Sequence, residues 1–263
     1  MTTHLVIPDL QVKPDVPTDH LAWIGQLIVD EQPDTVIQLG DLWDMPSLSQ
    51  YDRGTLAAEG RRYETDVEAG NEALRMLNAP LDAYNYNRAQ IQRRAQFKPR
   101  RVLLRGNHED RISRAINADP RLDGALSLDH LESPGWEVHD FLNPVTIDGV
   151  TYSHYFYNHG NGRPISGAIE TRLRNIGHSF TQGHQQILSW GMRFVLGAPQ
   201  MGLVCGSAYL HSEGYRGPQA EEWRGVIVCR NVENGAYDPE FVSLASLCLR
   251  YEGIPLTTFL SSN

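Results

Sequence analysis

At 263 residues, with 41% hydrophobic, 21% charged and 9% aromatic side chains, the chain is long enough to bury a sizeable core and has the make-up of a soluble globular protein. No apolar run approaches the roughly 20 residues of a membrane span, and residues 1–4 lack the charged, then apolar start of a signal peptide, so a cytoplasmic protein with no membrane partner is expected. A net charge of −9 argues against binding nucleic acid over the whole surface, and Cys205, Cys229 and Cys248, scattered and without CxxC spacing, read as buried thiols rather than disulfides or a zinc site.

Short β-rich runs alternate with helical stretches along the chain. Residues 4–8 (HLVIP) read as a strand and 18–31 as a helix with Thr18 or Asp19 at its N-cap. Residues 35–39 (TVIQL) form the next strand. Residues 56–97, rich in Ala, Leu, Arg, Glu and Gln, read as two helices broken near Pro80. A strand at 101–104 and a helix at 109–117 come next. The later part is richer in strands: 136–140, 144–148 and 150–154, with a hairpin turn at Asp148-Gly149. A helix near 164–175 precedes strands at 179–182, 190–195, 225–230 and 240–246. Early βαβ units succeeded by strand-rich sequence predict one α/β domain with two packed sheets.

The residues at the strand ends carry the chemistry. Asp9 and Gln11 lie just past the first strand, Asp41 and Asp44 past the second, and Asn107 and His108 past the third. His154 ends a later strand, and His184 and Gln186 come directly after another. The carboxyl ends of strands in an open α/β sheet converge on one crevice, where ligands bind. Turn formation accounts for Asp9 and Asp41 but not for three histidines. Carboxylate, amide and imidazole donors together are what a divalent-metal site requires.

The order Asp9-x-Gln11, Gly40-Asp41-x-x-Asp44, Gly106-Asn107-His108-Glu109, His154 and Gly183-His184-x-Gln186 resembles the calcineurin-like metallophosphoesterases over residues 9–186. Residues 40–54 (GDLWDMPSLSQYDRG) are also similar to bacteriophage-encoded members, whose location would be the host cytoplasm. The resemblance implies a single domain over residues 1–263: two packed mixed β-sheets flanked by helices in a four-layer sandwich, with a helical insertion at about 45–98. It implies two divalent metal ions bridged by Asp41, one completed by Asp9, Gln11 and Gln186 and the other by Asn107, His154 and His184. His108 becomes a proton donor beside the metals, oriented by Asp44, while Glu109 and Asp110 open the following helix, where negative charge is favourable. His159 is a rival to His154, which is preferred because it directly ends its strand.

This chain has Gln11 and Gln186 where the family pattern has histidine, and both departures fall on one metal. An all-oxygen site suits Mn²⁺ or Mg²⁺ better than Zn²⁺, so Mn²⁺ is expected, with Mg²⁺, Zn²⁺ or iron as alternatives. Alternatively, Gln185 or His178 takes the place of Gln186.

The expected activity is hydrolysis of a phosphoester by a bridging hydroxide. A phosphodiesterase or nuclease acting on nucleic acid or nucleotides ranks first, a phosphomonoesterase on a phosphoprotein or small metabolite second, and a non-catalytic metal-binding scaffold third. Asn107, Arg53, Arg111 and Arg163 are candidates for contacting substrate phosphate. Arg88, Arg93, Arg94, Lys98, Arg100, Arg101 and Arg105, uninterrupted by acidic residues, read either as a solvated face or as a rim for DNA or RNA.

Overall fold

The computed structural model describes residues 1–213 and 222–262. In chain order come β1 (Thr2–Ile7), α1 (His20–Glu31), β2 (Thr35–Gln38), α2 (Tyr63–Tyr86), β3 (Arg100–Leu104), α3 (Arg111–Ala118) and β4 (Glu137–His139). They are succeeded by β5 (Val145–Ile147), β6 (Val150–Ser153), α4 (Ile169–Ile176), β7 (Phe180–Gln182), β8 (Leu188–Val195) and β9 (Ala198–Cys205). The last described elements are β10 (Gly225–Glu233), β11 (Ala236–Ser243), α5 (Leu244–Glu252) and α6 (Leu256–Ser262).

The first sheet has the order β11-β10-β1-β2-β3-β4, with β1 to β4 parallel and β10 and β11 antiparallel. The second has the order β5-β6-β7-β9-β8, parallel through β6, β7 and β9, with antiparallel edges. Both are mixed, and alternation along the strands sets their layers. Leu5, Ile7, Val36 and Leu103 face one way and pack with Leu21, Ile24 and Leu27 of α1 and Leu74 and Leu77 of α2. Val6, Ile37, Val102 and Leu104 face the other way, against Val150, Tyr152, Leu203 and Cys205 of the second sheet. That sheet's outer face, Phe180 and Val204, is covered by Ile169 and Leu173 of α4.

Several boundaries differ from the sequence expectation, each for a local reason. Helix α2 runs unbroken through Pro80. A proline inside a helix costs roughly 3 kcal/mol, but α2 buries Val67, Leu74, Leu77 and Leu81, each side chain worth roughly 1.5–3 kcal/mol. The Pro80 ring also packs where α1 presents Gly25: a Cβ there would lie 2.8 Å from Pro80 Cγ. Neither Thr18 nor Asp19 caps α1 through its side chain; the Thr18 hydroxyl points to Met76 Sδ instead. Residues 164–168 stay outside α4 because the buried Arg172 guanidinium donates to the carbonyls of Ile165 and Gly167. Residues 244–246 belong to α5 rather than a strand, since the Ser243 hydroxyl accepts from Ser246 N–H and caps a helix there. The turn at Asp148-Gly149 has both residues at positive φ, 49° and 85°, as a two-residue hairpin between β5 and β6 needs.

Candidate metal centre

Parallel strands of both sheets point their carboxyl ends at the same place. The first sheet delivers Asp9 and Gln11 after β1, Asp41 and Asp44 after β2, and Asn107 and His108 after β3. The second delivers His154 after β6, and His184 and Gln186 after β7. Asp9, Gln11, Asp41, Asp44, His108, His154 and Gln186 are all buried.

At the centre, ligand-type atoms of Asp41, His154 and His184 all lie within 4.8 Å of one another. His154 Nδ1 lies 2.9 Å from the Leu39 carbonyl, to which it donates. Its Nε2 then faces two oxygens, Asn107 Oδ1 at 2.9 Å and Asp41 Oδ2 at 3.3 Å. Burial opposes a charge on His154, but the Asp41 carboxylate overcomes it and raises the imidazole to about 9. Burial equally opposes ionisation of Asp41, yet the imidazoles of His108 and His154 hold it well below the usual carboxylate range. Burial, together with neighbouring His154, pushes His184 down to about 4. Asp9 Oδ1 accepts from His184 N–H at 2.9 Å, whereas its buried Oδ2 has no hydrogen-bond partner among the described residues, and burial raises this carboxyl to about 7.

The backbone is bent to make this convergence. Gln11, Asp41, His184 and Gln186 sit at φ 43°, 52°, 67° and 59°, in the left-handed region that side chains other than glycine rarely adopt. Such outliers persist where surrounding contacts over-determine them, often at functional sites. The adjoining glycines have a separate role, which is room. A Cβ at Gly106 would lie 2.1 Å from Asp41 Oδ1, and one at Gly183 2.3 Å from Asp9 Oδ1.

His108 stands beside this cluster. Its Nδ1 is 2.5 Å from Asp44 Oδ1, and its Nε2 is 3.7 Å from Asp41 Oδ2. Burial works against its charge, but Asp41 and Asp44 raise its pKa. Arg111 donates to the carbonyls of Asp44 (2.8 Å) and Met45 (3.2 Å), and Nη2 lies 3.3 Å from His108 Nε2. Gln11, Asp41, Asp44, Asn107, His108, Arg111, His184 and Gln186 line one cavity of about 360 Å³.

The calcineurin-like phosphoesterase family model matches residues 3–191 of the chain, a stretch that holds every one of these groups. The chain belongs to the calcineurin-like phosphoesterases. Membership makes it a hydrolase of phosphoester bonds that works with divalent metal. No curated protein matches the chain. One crystal structure aligns over 92% of this chain and 99% of its own, at 11% identity and a TM-score of 0.41.

The residues of this phosphoesterase fit a divalent cation: an orphaned buried carboxylate oxygen, imidazole and amide donors aimed inward, and glycines that keep the space open. Other expected residues lie elsewhere. Arg53 and Arg163 are exposed and neither lines the cavity. His159 is exposed against Tyr157, His178 is exposed against Phe156, and Gln185 accepts from Arg172 at 2.5 Å. Of the basic run, six residues precede or open β3, at the opposite end from Asn107, and none of the seven lines the cavity. Arg100 pairs with Glu137 and Arg105 with Asp140, while Arg101 reaches Asn78 and lies over Trp136. Those three side chains of the run are thus engaged by partners within the fold.

Sequence reading missed other groups of this phosphoesterase. Glu109 does not serve the helix start: its buried carboxylate accepts from the backbone N–H of Asp41, Leu42, Trp43 and Gly106, tying two ligand loops together. Lys13 Nζ lies 3.4 Å from Asp44 Oδ2 and 2.6 Å from Glu213 Oε1, and all three line the cavity. Arg61 also lines it, paired with Asp52 at 2.6 Å. The Tyr209 hydroxyl donates to Gln186 Oε1 at 2.9 Å. Nothing in the spacing of Lys13, Arg61 and Glu213 links them, because the loops that join them are remote in sequence.

Proposed function

We propose that the chain is a phosphodiester hydrolase with a dinuclear metal centre. Asp9, Gln11 and Gln186 would hold one cation, Asn107, His154 and His184 the other, with Asp41 between them; Mn²⁺ suits the oxygen-rich first set best. The bound cations supply positive charge to the phosphoryl oxygens and acidify a water.

The chain's own residues do the rest. Asp44 fixes the His108 ring through Nδ1, so Nε2 faces the cavity and can hold a proton for the leaving oxygen. Arg111, anchored by two carbonyls, places a rigid guanidinium beside that atom. In this reading Asn107 and Arg111 orient the phosphate.

The observation that favours a diester is the pairing of the cavity's cations. Lys13 is held by Glu213 and Asp44, Arg61 by Asp52, and Arg111 by carbonyl oxygens and Asp44. Among the described residues of the cavity, Lys13 and Arg61 are committed to carboxylates, so beyond Arg111 a phosphomonoester dianion finds no further cation for its second charge, whereas a monoanionic diester needs none. With Mn²⁺ present, kcat/KM for bis(p-nitrophenyl) phosphate should exceed that for p-nitrophenyl phosphate by about tenfold or more, a difference of ~1.4 kcal/mol in transition-state binding. A preference for the monoester overturns the reading.

A further inference from the structure

We infer that a second pocket, beside Tyr51, receives the nucleobase of a nucleotidyl phosphodiester whose phosphate lies over His108 and the Asp41–His154–His184 cluster. This rests on the phosphodiesterase reading above.

The pocket has a volume of about 340 Å³ and is lined by Leu48, Gln50, Tyr51, Arg111, Arg114 and Ala115. It shares Tyr51 and Arg111 with the metal-side cavity, so the two spaces meet along that pair. Its walls come from two elements. Arg111, Arg114 and Ala115 stand at i, i+3 and i+4 on one face of α3, and residues 48–51 belong to the connection between β2 and α2.

Each wall has a property that a base would use. Tyr51 is 92% exposed, so the fold leaves both faces of its ring open at the junction. Leu48 and Ala115 supply apolar contact, and the Gln50 amide can both donate to and accept from a base edge. Arg111 is fixed by the carbonyls of Asp44 and Met45, and Arg114 by Asp110 at 3.1 Å and by the Asn107 carbonyl. Two guanidinium groups, each held by partners within the fold, thus line this pocket. Aromatic stacking combined with nearby cationic side chains is the recurring way proteins hold single, unpaired bases. An alkyl arm has no π-face to stack on the ring.

The test compares two substrates with the same leaving group, thymidine 5′-(p-nitrophenyl phosphate) and methyl p-nitrophenyl phosphate, in Mn²⁺. The wild-type protein should prefer the nucleotidyl substrate in kcat/KM. Tyr51→Ala should cut that preference by about tenfold, within the range base–aromatic stacking gives, while Tyr51→Phe should keep it. A preference undiminished in Tyr51→Ala, with the wild type active on both esters, overturns the base pocket and leaves the phosphodiesterase reading standing. Failure to hydrolyse either diester overturns the phosphodiesterase reading, and the base pocket with it.

Discussion

His108 and His184 line the same cavity, yet their surroundings give them different work. His184 belongs to the cluster whose ligand-type atoms crowd within 4.8 Å, while His108 Nδ1 is already committed to Asp44. His108→Ala should lower kcat by ~10²-fold or more with metal content near that of wild type, because a proton donor is lost and no ligand is. His184→Ala should lose metal and activity together. Elemental analysis alongside single-substrate kinetics separates the two, and loss of metal from His108→Ala would make His108 a ligand. At this scale, strand-end residues were legible because Asp9, Asp41, Asn107, His154 and His184 each come after a recognisable β run. Glu109 was not, since its work is accepting four backbone N–H groups from loops far apart in sequence. Arg53 and Arg163 were misplaced for a related reason: a cation's proximity in sequence to a ligand does not fix where its long side chain points.

Helix α1 carries an element-scale consequence of burial. Its first residue, His20, is 1% exposed and has no carboxylate paired with its ring among the described residues. Burial above all, with His211 and Arg224 nearby, lowers this imidazole from 6.5 to about 3. Above pH 6.5 neither the folded nor the unfolded chain is protonated there. Between 6.5 and about 3 the unfolded chain binds a proton that the folded one refuses, so stability falls as pH drops through that window. His20→Leu should therefore lose less stability than wild type between pH 7 and about pH 5, measured by urea unfolding at both values. Parallel losses would show that His20 does not set the slope. Elements with a clean period, such as β1, β2, β3 and α1, were legible close to their bounds. Strand β9 was not read at all, because Pro199 and Gly202 both argue against a strand. Pro199 lies where β9 extends beyond β7, which pairs only with Gly202–Val204, and a Cβ at Gly202 would meet Phe180 and Leu173 at 2.8 and 3.0 Å. Only tertiary packing makes those two residues acceptable.

Across the whole molecule, the site joins two layers that also meet through a mainly apolar interface. Asp9, Gln11, Asp41 and Asn107 come from the first sheet, and His154, His184 and Gln186 from the second. Between the sheets, Val6, Ile37 and Val102 pack on Val150, Tyr152 and Leu203, and His4 lies 2.7 Å from the Tyr152 hydroxyl. A cation held by both sets binds the folded arrangement and not the unfolded chain, so it adds stability by mass action. At 100 times its dissociation constant that amounts to ~2.7 kcal/mol, which in a domain of this size raises Tm by roughly 5–10 °C. Mn²⁺ should therefore raise Tm progressively, and EDTA should reverse the shift and abolish phosphoester hydrolysis. Asp41→Asn should lose most of the shift, because it weakens the one carboxylate assigned to both cations. It also eases the burial of charge at a side chain that is 1% exposed, so its own metal-free Tm is the proper baseline. Scanning calorimetry of both proteins across a Mn²⁺ series decides the matter. A wild-type Tm indifferent to Mn²⁺ and EDTA would mean that no cation spans the two sheets.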